Sequence, residues 1–157
     1  MLKRSQIAMS PAELQAFLAA ERVVTVATIG PNGRPHLMPL WYVMDGALIS
    51  AWTFAKSQKV RNLERRPQAT LQVEAGDRYE ELRGAMLECD VEIIRGAEAV
   101  TAIGLALGAR YALDPSAAAS PERPALVAQQ APKRVGLRFH PTRVSSWDHR
   151  KLAVGVH

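Results

Sequence analysis

The sequence predicts a mainly β domain, a small antiparallel barrel of six strands accompanied by a few helices. Short segments that are rich in β-branched residues or alternate in hydrophobicity recur along the chain, and turn signals separate them. These segments do not alternate regularly with helices, as they would in a parallel sheet. The 157 residues suit one hydrophobic core. We therefore expect a single domain over 1–157, with a helical segment at 1–21 and a tail at 145–157.

The strands follow from alternation and from the turns between them. Asn32-Gly33 and Asp45-Gly46 are strong turn signals, so the first three strands should form an antiparallel meander. Pro35 and Pro39 favour an edge position or a bulge for the second strand, because proline cannot donate to a β-ladder. Gly84 suggests a bend or bulge in the fifth. The six strands are predicted at 22–29, 34–44, 47–53, 68–75, 79–94 and 134–144.

The helices are recognised by capping residues and by apolar spacing. Ser10 can cap a helix, Pro11 suits its first position, and Glu13 completes a capping box. Gly104 and Gly108 are four residues apart on a later helix, where we expect them to serve helix packing in a soluble core. The helical segments lie at 10–21, within 54–67, at 96–111 and, as a short helix in a proline-rich loop, at 124–129.

Composition restricts the class of protein. Cys89 is the only cysteine, which excludes an intramolecular disulfide and a cysteine-rich metal site and suits a reducing cytoplasm. The four histidines lack metal-ligand spacing. No apolar run could span a bilayer, and no apolar stretch follows the basic N-terminus as in a secretory signal. We therefore expect a cytoplasmic protein without a metal or a membrane partner.

The net charge of +5 allows nucleic acid, an acidic surface or a phosphorylated small molecule as partner. The positions of the cations are more informative, because 56–66 holds five cations and one acid at the start of a helix that follows a strand. A helix N-terminus attracts anions. This segment is either a phosphate cradle or a solvated basic helix, and charge alone leaves both open. It contains no aromatic residue, which argues against a nucleic-acid interface.

Two stretches of sequence carry a resemblance. TIGPNGRPHLMPLWYV and, after a DG turn, SAWTFAKSQKVRNLERRPQATLQVEA resemble the pyridoxamine 5'-phosphate oxidase-like split β-barrel superfamily, and most of all its actinobacterial flavin/deazaflavin oxidoreductases. The resemblance covers Glu21 to Val91 well and Val135 to Trp147 loosely. It implies a homodimeric, FMN-binding type of split barrel. One departure is Arg66-Pro67-Gln68, where relatives often have Asp-Pro-Arg.

The resemblance also implies cofactor-binding positions. In chain order these are Pro39, Leu40, Trp41, Trp52, Thr53, Lys56, Ser57, Lys59, Arg61 and Asn62. The first three would lie beside the cofactor ring, and the next two would line the adjoining wall. The last five would hold the phosphate, with Lys59, Arg61 and Asn62 as its principal contacts. Trp147 would either cap the groove of a partner subunit or cover the end of its own barrel.

Members of the superfamily use either FMN or the deazaflavin coenzyme F420. The pattern around Lys59 and the short chain resemble the F420 branch more closely, and Arg65 and Arg66 would suit an acidic cofactor tail. The resemblance therefore implies an oxidoreductase that transfers hydride from reduced F420 to a small unsaturated organic substrate. An FMN-dependent enzyme and a non-catalytic flavin or haem binder of the same fold are the alternatives. The sequence identifies no catalytic side chain.

Overall fold

A computed structural model describes residues 4–112, 116 and 120–155, with only the backbone at 153–155. The strands are β1 (Val24–Ile29), β2 (Pro35–Leu40), β3 (Val43–Asp45), β4 (Leu48–Phe54), β5 (Gln68–Ala75), β6 (Arg83–Ile94) and β7 (Arg134–Asp148). The α-helices are α1 (Arg4–Ile7), α2 (Pro11–Ala20), α3 (Gln58–Arg65), α4 (Ala97–Arg110) and α5 (Arg123–Gln130). Short 3-10 segments lie at Tyr79–Glu81, Ala131–Lys133 and His149–Gly155. Within these described ranges, no helix is long and apolar enough to cross a bilayer.

All seven strands form one antiparallel sheet in the order β2-β1-β5-β6-β7-β4-β3. β2 and β3 are therefore the two edges, yet only Trp41 and Tyr42 separate them in sequence. In a flat sheet, six spacings of about 4.8 Å would put the edges roughly 29 Å apart, whereas a two-residue connection spans about 10 Å. The sheet must curl until its edges meet. This confirms the predicted mainly β split-barrel fold, with seven strands instead of six.

The extra strand corrects the predicted meander. The segment 34–44 was predicted as one strand, but it divides at Trp41 and Tyr42 into β2, which pairs with β1, and β3, which pairs with β4. Tyr42 is fully buried, and its hydroxyl donates to the Leu18 carbonyl oxygen at 2.6 Å. The buried ring therefore fixes the point where the chain leaves one sheet edge and joins the other.

Two other predictions about strands were wrong in detail. The register irregularity between β6 and β7 lies at Glu88 and Cys89, and Gly84 pairs regularly with Trp147. A side chain at Gly84 would overlap the Trp147 indole, so this glycine is needed for close packing and not for a bulge. The predicted tail also begins too early, because 145–148 belong to β7. Trp147 thus lies against its own barrel.

The predicted helices are present, and the N-terminal helical segment contains α1 as well as α2. The capping box of α2 is formed: the Glu13 backbone N–H donates to Ser10 Oγ at 3.2 Å, and the Ser10 backbone N–H donates to Glu13 Oε2 at 2.7 Å. α3 contributes Val60 and Leu63 to the main core inside the barrel. α4 packs on the outside, where Ile103 and other apolar side chains form a second cluster. The barrel thus presents one helix N-terminus, that of α3, directly after the end of β4.

Candidate cofactor site

The connection from β4 to α3 leaves a serine hydroxyl without a partner. β4 ends at Phe54, the Ser57 backbone N–H donates to the Phe54 carbonyl oxygen at 3.0 Å, and α3 begins one residue later. Ser57 is the N-cap residue of α3, but its side chain makes no capping bond. Its Oγ is buried and has no partner among the described residues. A buried hydroxyl at a helix N-terminus is suited to an anion that accepts its hydrogen bond.

Lys59 is the most unusual charge in this region. It is only 7% exposed, and its Nζ donates to Thr53 Oγ1 at 2.9 Å. In the part of the chain that the structure describes, no carboxylate forms an ion pair with it. Burial lowers the pKa of Lys59, and repulsion by Arg134 lowers it further. An ammonium group has three donors, and one is used here. A bound phosphate would both neutralise this charge and accept from it.

The side chain of Asn62, predicted as a phosphate contact, makes hydrogen bonds to three neighbouring side chains. Its side chain is fully buried, and Nδ2 donates to Thr28 Oγ1 at 3.0 Å. Its Oδ1 accepts from Gln58 Nε2 at 2.8 Å and from Arg65 Nη2 at 2.7 Å. The amide therefore ties α3 to β1 and orients Arg65.

Two further cations, one before α3 and one within it, add positive charge to the region. Lys56 and Arg61 are exposed, and neither forms an ion pair within the described residues. Glu64 is the only acidic residue in 56–66, and its Oε1 is 3.8 Å from Arg95 Nη2. The N-terminal half of α3 therefore carries positive charge that no carboxylate of the described structure offsets.

Arg134 extends this positive region, and the sequence analysis did not select it. It begins β7 directly opposite Phe54. Its guanidinium carbon is 3.9 Å from the ring centroid of Phe54 and 4.9 Å from that of Trp52. Burial lowers the pKa of Arg134 as well. Arg134 follows Lys59 by 75 positions, so only the pairing of β4 with β7 shows that the two cations are neighbours.

Beside this cation lies a mainly apolar cleft of about 400 Å³, which α4 and α5 form against the barrel. Trp41 and Trp52 both line it, together with Leu107, Leu126 and Val127. Trp41 was predicted to lie beside the cofactor ring and Trp52 in the adjoining wall, and the structure brings both to one cleft. Glu122, Arg123 and Gln130 supply its polar lining.

Trp41 is exposed but held in a fixed orientation. Its ring stacks on Tyr111, with centroids 4.5 Å apart and planes inclined by 10°. The Tyr111 hydroxyl accepts from the Tyr42 backbone N–H at 3.1 Å, and its oxygen lies 2.7 Å from the Arg22 carbonyl oxygen, to which it can donate. The guanidinium of Arg110 lies over the same ring at 5.3 Å. This network, which sequence reasoning missed, is built by the C-terminal end of α4.

The predicted site residues thus fall into two adjoining groups. Thr53, Lys56, Ser57, Lys59 and Arg61 surround the start of α3, and we call them the α3 cradle. Trp41 and Trp52 form the cleft. Pro39 lies on the exposed surface of β2, and Leu40 packs against the main core, so neither lines the cleft.

The family follows from a comparison with protein-family models. The model for pyridoxamine 5'-phosphate oxidase matches residues 10–148, which is most of the chain. The chain belongs to this family. The β4–α3 connection and both tryptophans of the cleft lie inside the matched region. A search of curated protein sequences finds no match.

Solved structures agree with this assignment. A conserved hypothetical protein of Mycobacterium tuberculosis, Rv2991, is 39% identical over 100% of this chain and 96% of its own, with a TM-score of 0.88. An F420 reductase is 25% identical over 83% of this chain and 94% of its own, with a TM-score of 0.61. The haem-storage protein HutZ of Vibrio cholerae shares the fold, with 16% identity over 85% of this chain and 91% of its own and a TM-score of 0.65.

Proposed function

We propose that this member of the family is an oxidoreductase that binds a phosphorylated deazaflavin, coenzyme F420, and transfers hydride to a small unsaturated organic substrate. FMN is the alternative cofactor. The observation that carries the proposal is Lys59, a buried ammonium without a carboxylate partner among the described residues, beside the unpartnered Ser57 hydroxyl. Burying an unpaired charge is costly, so its presence at this position favours a ligand that offsets it.

The residues present fit the phosphate end of such a cofactor. Ser57 Oγ and Lys59 Nζ can donate to phosphate oxygens, and the first N–H groups of α3 add donors that the helix itself leaves unused. Lys56 and Arg61 would surround the anion with charge, and Arg61 could bind it with two parallel hydrogen bonds. When bound, the deazaflavin supplies the hydride. The protein orients the ring and shields it from water, and we assign no side chain as a proton donor.

Two features favour F420 over FMN. Two cations lie beyond those that one phosphate needs, Arg65 at the end of α3 and Arg66 directly after it, and they could bind an acidic cofactor tail. The F420 reductase is also among the structures that this chain resembles, at 25% identity. The family match supports FMN equally well, so this choice is the part of the proposal that the cofactor titration must decide.

We also propose that the protein is a homodimer. β2 is a sheet edge with large apolar side chains exposed on it and next to it: Leu37 is 58% exposed, Met38 42% and Trp41 59%. An exposed apolar sheet edge tends to pair with or pack against another chain. A second copy of this chain is the expected partner, and light scattering in solution would show whether the mass is that of two chains.

The experiment that tests the cofactor is a titration of purified protein with four compounds, followed by intrinsic tryptophan fluorescence. The compounds are FMN, riboflavin, F420 and the deazaflavin alcohol that lacks the phosphate. A cradle for phosphate predicts that each phosphorylated form binds roughly 10- to 100-fold more tightly than its unphosphorylated partner, as expected for one or two charge-assisted hydrogen bonds. Equal affinity within each pair, or no binding at micromolar concentration, would refute the proposal.

A further inference from the structure

We propose that Arg110 is a positioning residue for the cofactor ring. Through Tyr111 it fixes the indole of Trp41, on which the ring stacks. This rests on the proposed function and adds to it a residue that acts from outside the site. Arg110 is the last residue of α4, and it belongs neither to the α3 cradle nor to the lining of the cleft.

The guanidinium of Arg110 joins segments that are far apart in the sequence. Its Nη2 donates to the carbonyl oxygens of Ala19, at 2.8 Å, and Glu21, both at the C-terminal end of α2. Its Nη1 donates to the carbonyl oxygen of Tyr42, between β2 and β3. A positive charge is favourable at a helix C-terminus, and the planar guanidinium can donate in several fixed directions at once. The end of α4 is therefore tied both to α2 and to the connection between the two sheet edges.

The Tyr111 hydroxyl has its full complement of hydrogen bonds. Its oxygen accepts from Arg110 Nη1 and from the Tyr42 backbone N–H, each at 3.1 Å. It can donate to the carbonyl oxygen of Tyr42, at 2.9 Å, or to that of Arg22, at 2.7 Å. A phenol hydroxyl donates one hydrogen bond and has two lone pairs to accept others. The hydroxyl cannot leave this position without losing several of these bonds, so the Tyr111 ring is held in place.

The side chain of Trp41 depends on that ring for its orientation. The indole is 59% exposed and stacks on Tyr111, with centroids 4.5 Å apart and planes inclined by 10°. Among the described residues its indole N–H makes no hydrogen bond that would fix it instead. An aromatic ring that is fixed before binding loses little conformational entropy when a planar ligand stacks on it. Arg110 therefore reduces the entropic cost of binding the cofactor ring.

The test is a double-mutant cycle of Arg110→Met and Trp41→Ala. The ligands are FMN, riboflavin, F420 and the deazaflavin alcohol without phosphate, and the anisotropy of their own fluorescence measures binding independently of the protein's tryptophans. Each single variant should weaken binding about fivefold, as expected for one aromatic stacking interaction. The double variant should bind no more weakly than Trp41→Ala, because Arg110 acts through Trp41. The preference for the phosphorylated member of each pair should be unchanged in all three variants.

Two further variants separate positioning from charge and from folding. Arg22 is exposed, its guanidinium carbon lies 5.2 Å from the ring centroid of Tyr111, and its Nη1 donates to the Arg110 carbonyl oxygen at 2.7 Å. Arg22→Met removes the same charge beside the same ring, and it should change the affinity by less than about twofold, as is usual on the surface. Tyr111→Phe keeps both the charge of Arg110 and an aromatic ring but removes the hydroxyl. It should weaken binding as Arg110→Met does, and it replaces Arg110→Met in the cycle if that variant does not fold.

Near-ultraviolet circular dichroism of the cofactor-free protein reports the orientation of Trp41 directly. Trp41→Phe should change the spectrum of the unaltered protein, because an indole stacked in one orientation contributes strongly. The same substitution should change the spectrum much less when it is added to Arg110→Met or to Tyr111→Phe, since the indole is then free to turn. A role of Arg110 in stability alone would leave this signal of Trp41 intact in the folded variants.

The inference is overturned if the losses of affinity from Arg110→Met and Trp41→Ala add in the double variant. It is also overturned if Tyr111→Phe binds all four compounds like the unaltered protein, or if the dichroism signal of Trp41 survives in both backgrounds. Each of these results leaves the proposed function standing as long as the phosphorylated compounds bind more tightly. Failure of all four compounds to bind would refute the proposed function, and this inference with it.

Discussion

The two ends of β7 differ in whether their cationic side chains are paired with carboxylates. At its C-terminal end, cations of the described structure lie beside carboxylates. The ion pairs there are Asp148–Arg150, Glu13–Lys151 and Glu21–Arg83, with shortest N···O distances of 2.7, 2.6 and 3.9 Å. At its N-terminal end, Arg134 and Lys59 approach each other, and no carboxylate of the described residues pairs with either.

The paired charges at the C-terminal end connect segments of the chain, whereas the unpaired cations at the N-terminal end are available to bind an anion. Lys151 joins the C-terminal segment to the N-terminal one by donating to Glu13 and to the Ala8 carbonyl oxygen. Lys59 donates to Thr53 Oγ1 but forms no ion pair with a carboxylate of the described residues, and its burial and its nearness to Arg134 both oppose its charged form. The paired end contributes to stability, whereas the unpaired end reduces it unless an anion is bound.

The largest effect that would test this contrast is that of Lys59→Met on cofactor binding. Removing the ammonium should weaken binding of the phosphorylated cofactor roughly 10- to 100-fold, or about 2 kcal/mol. The same change removes a buried unpaired charge, so the melting temperature of the free protein should stay the same or rise. A fluorescence titration and a thermal melt measure the two effects. Weaker binding accompanied by a large fall in melting temperature would instead indicate a structural role.

The pH dependence of binding provides a control for the same residue. The anion binds best while Lys59 is protonated, and its lowered pKa places the loss of that proton below the ordinary value of 10.5. Cofactor affinity should therefore decline as pH rises through the lowered pKa, and Lys59→Met should lose this decline. The pH dependence of stability has the opposite sign. Between the lowered pKa and 10.5, the unfolded chain binds more protons at this residue than the folded chain does. The free energy of unfolding of the cofactor-free protein should therefore increase as pH rises toward 10.5.

The start of α3 shows why part of the site could be predicted from sequence. Ser57, Lys59 and Arg61 lie within one turn, and the change from strand to helix that places them together is local in sequence. Local patterns also predicted α2, because its capping box requires only Ser10 and Glu13. Helix boundaries and tight turns depend on neighbours in the chain, which the sequence displays directly.

Arg134 and Tyr111 show why the rest could not be predicted. Arg134 meets Lys59 only because β7 pairs with β4, and Tyr111 meets Trp41 only because α4 returns to the gap between β2 and β3. The division of 34–44 into two strands has the same origin. Tyr42 is buried against Leu18 of α2, a tertiary contact that no periodicity in the segment reveals.

A smaller effect is expected at the paired end from Asp148→Asn. The Asp148 carboxylate accepts from Arg150 Nε at 2.9 Å and from Nη2 at 2.7 Å, and this pairing lowers its pKa. The variant should lose about 1 kcal/mol of stability in urea unfolding at neutral pH, because one partner of the pair is solvent-exposed. Cofactor affinity should be unchanged, since Asp148 is at the far end of β7. A loss of affinity here would contradict the separation of the two ends.

Lowering the pH should remove the difference in stability between Asp148→Asn and the unaltered protein. A carboxyl group with a lowered pKa in the folded state stabilises the fold above its ordinary value of 3.8, and that contribution is lost as pH falls through the lowered pKa. Unfolding curves of Asp148→Asn and the unaltered protein should therefore converge at the acid end. Curves that remain equally separated at all pH values would show that the asparagine disturbs packing and not charge.

The smallest effect should come from Lys151→Met, which matches Lys59→Met in chemistry but removes a paired and partly exposed charge. Its ion pair with Glu13 joins two side chains that are 31% and 48% exposed, so solvent screening keeps the loss of stability smaller than that of Asp148→Asn. The pairing also lowers the pKa of Glu13, and high salt should reduce the effect. Cofactor affinity should stay within twofold of the unaltered protein. Both variants remove one positive charge, so an equal loss of affinity in both would mean that net charge attracts the cofactor, and the α3 cradle would then have no specific role.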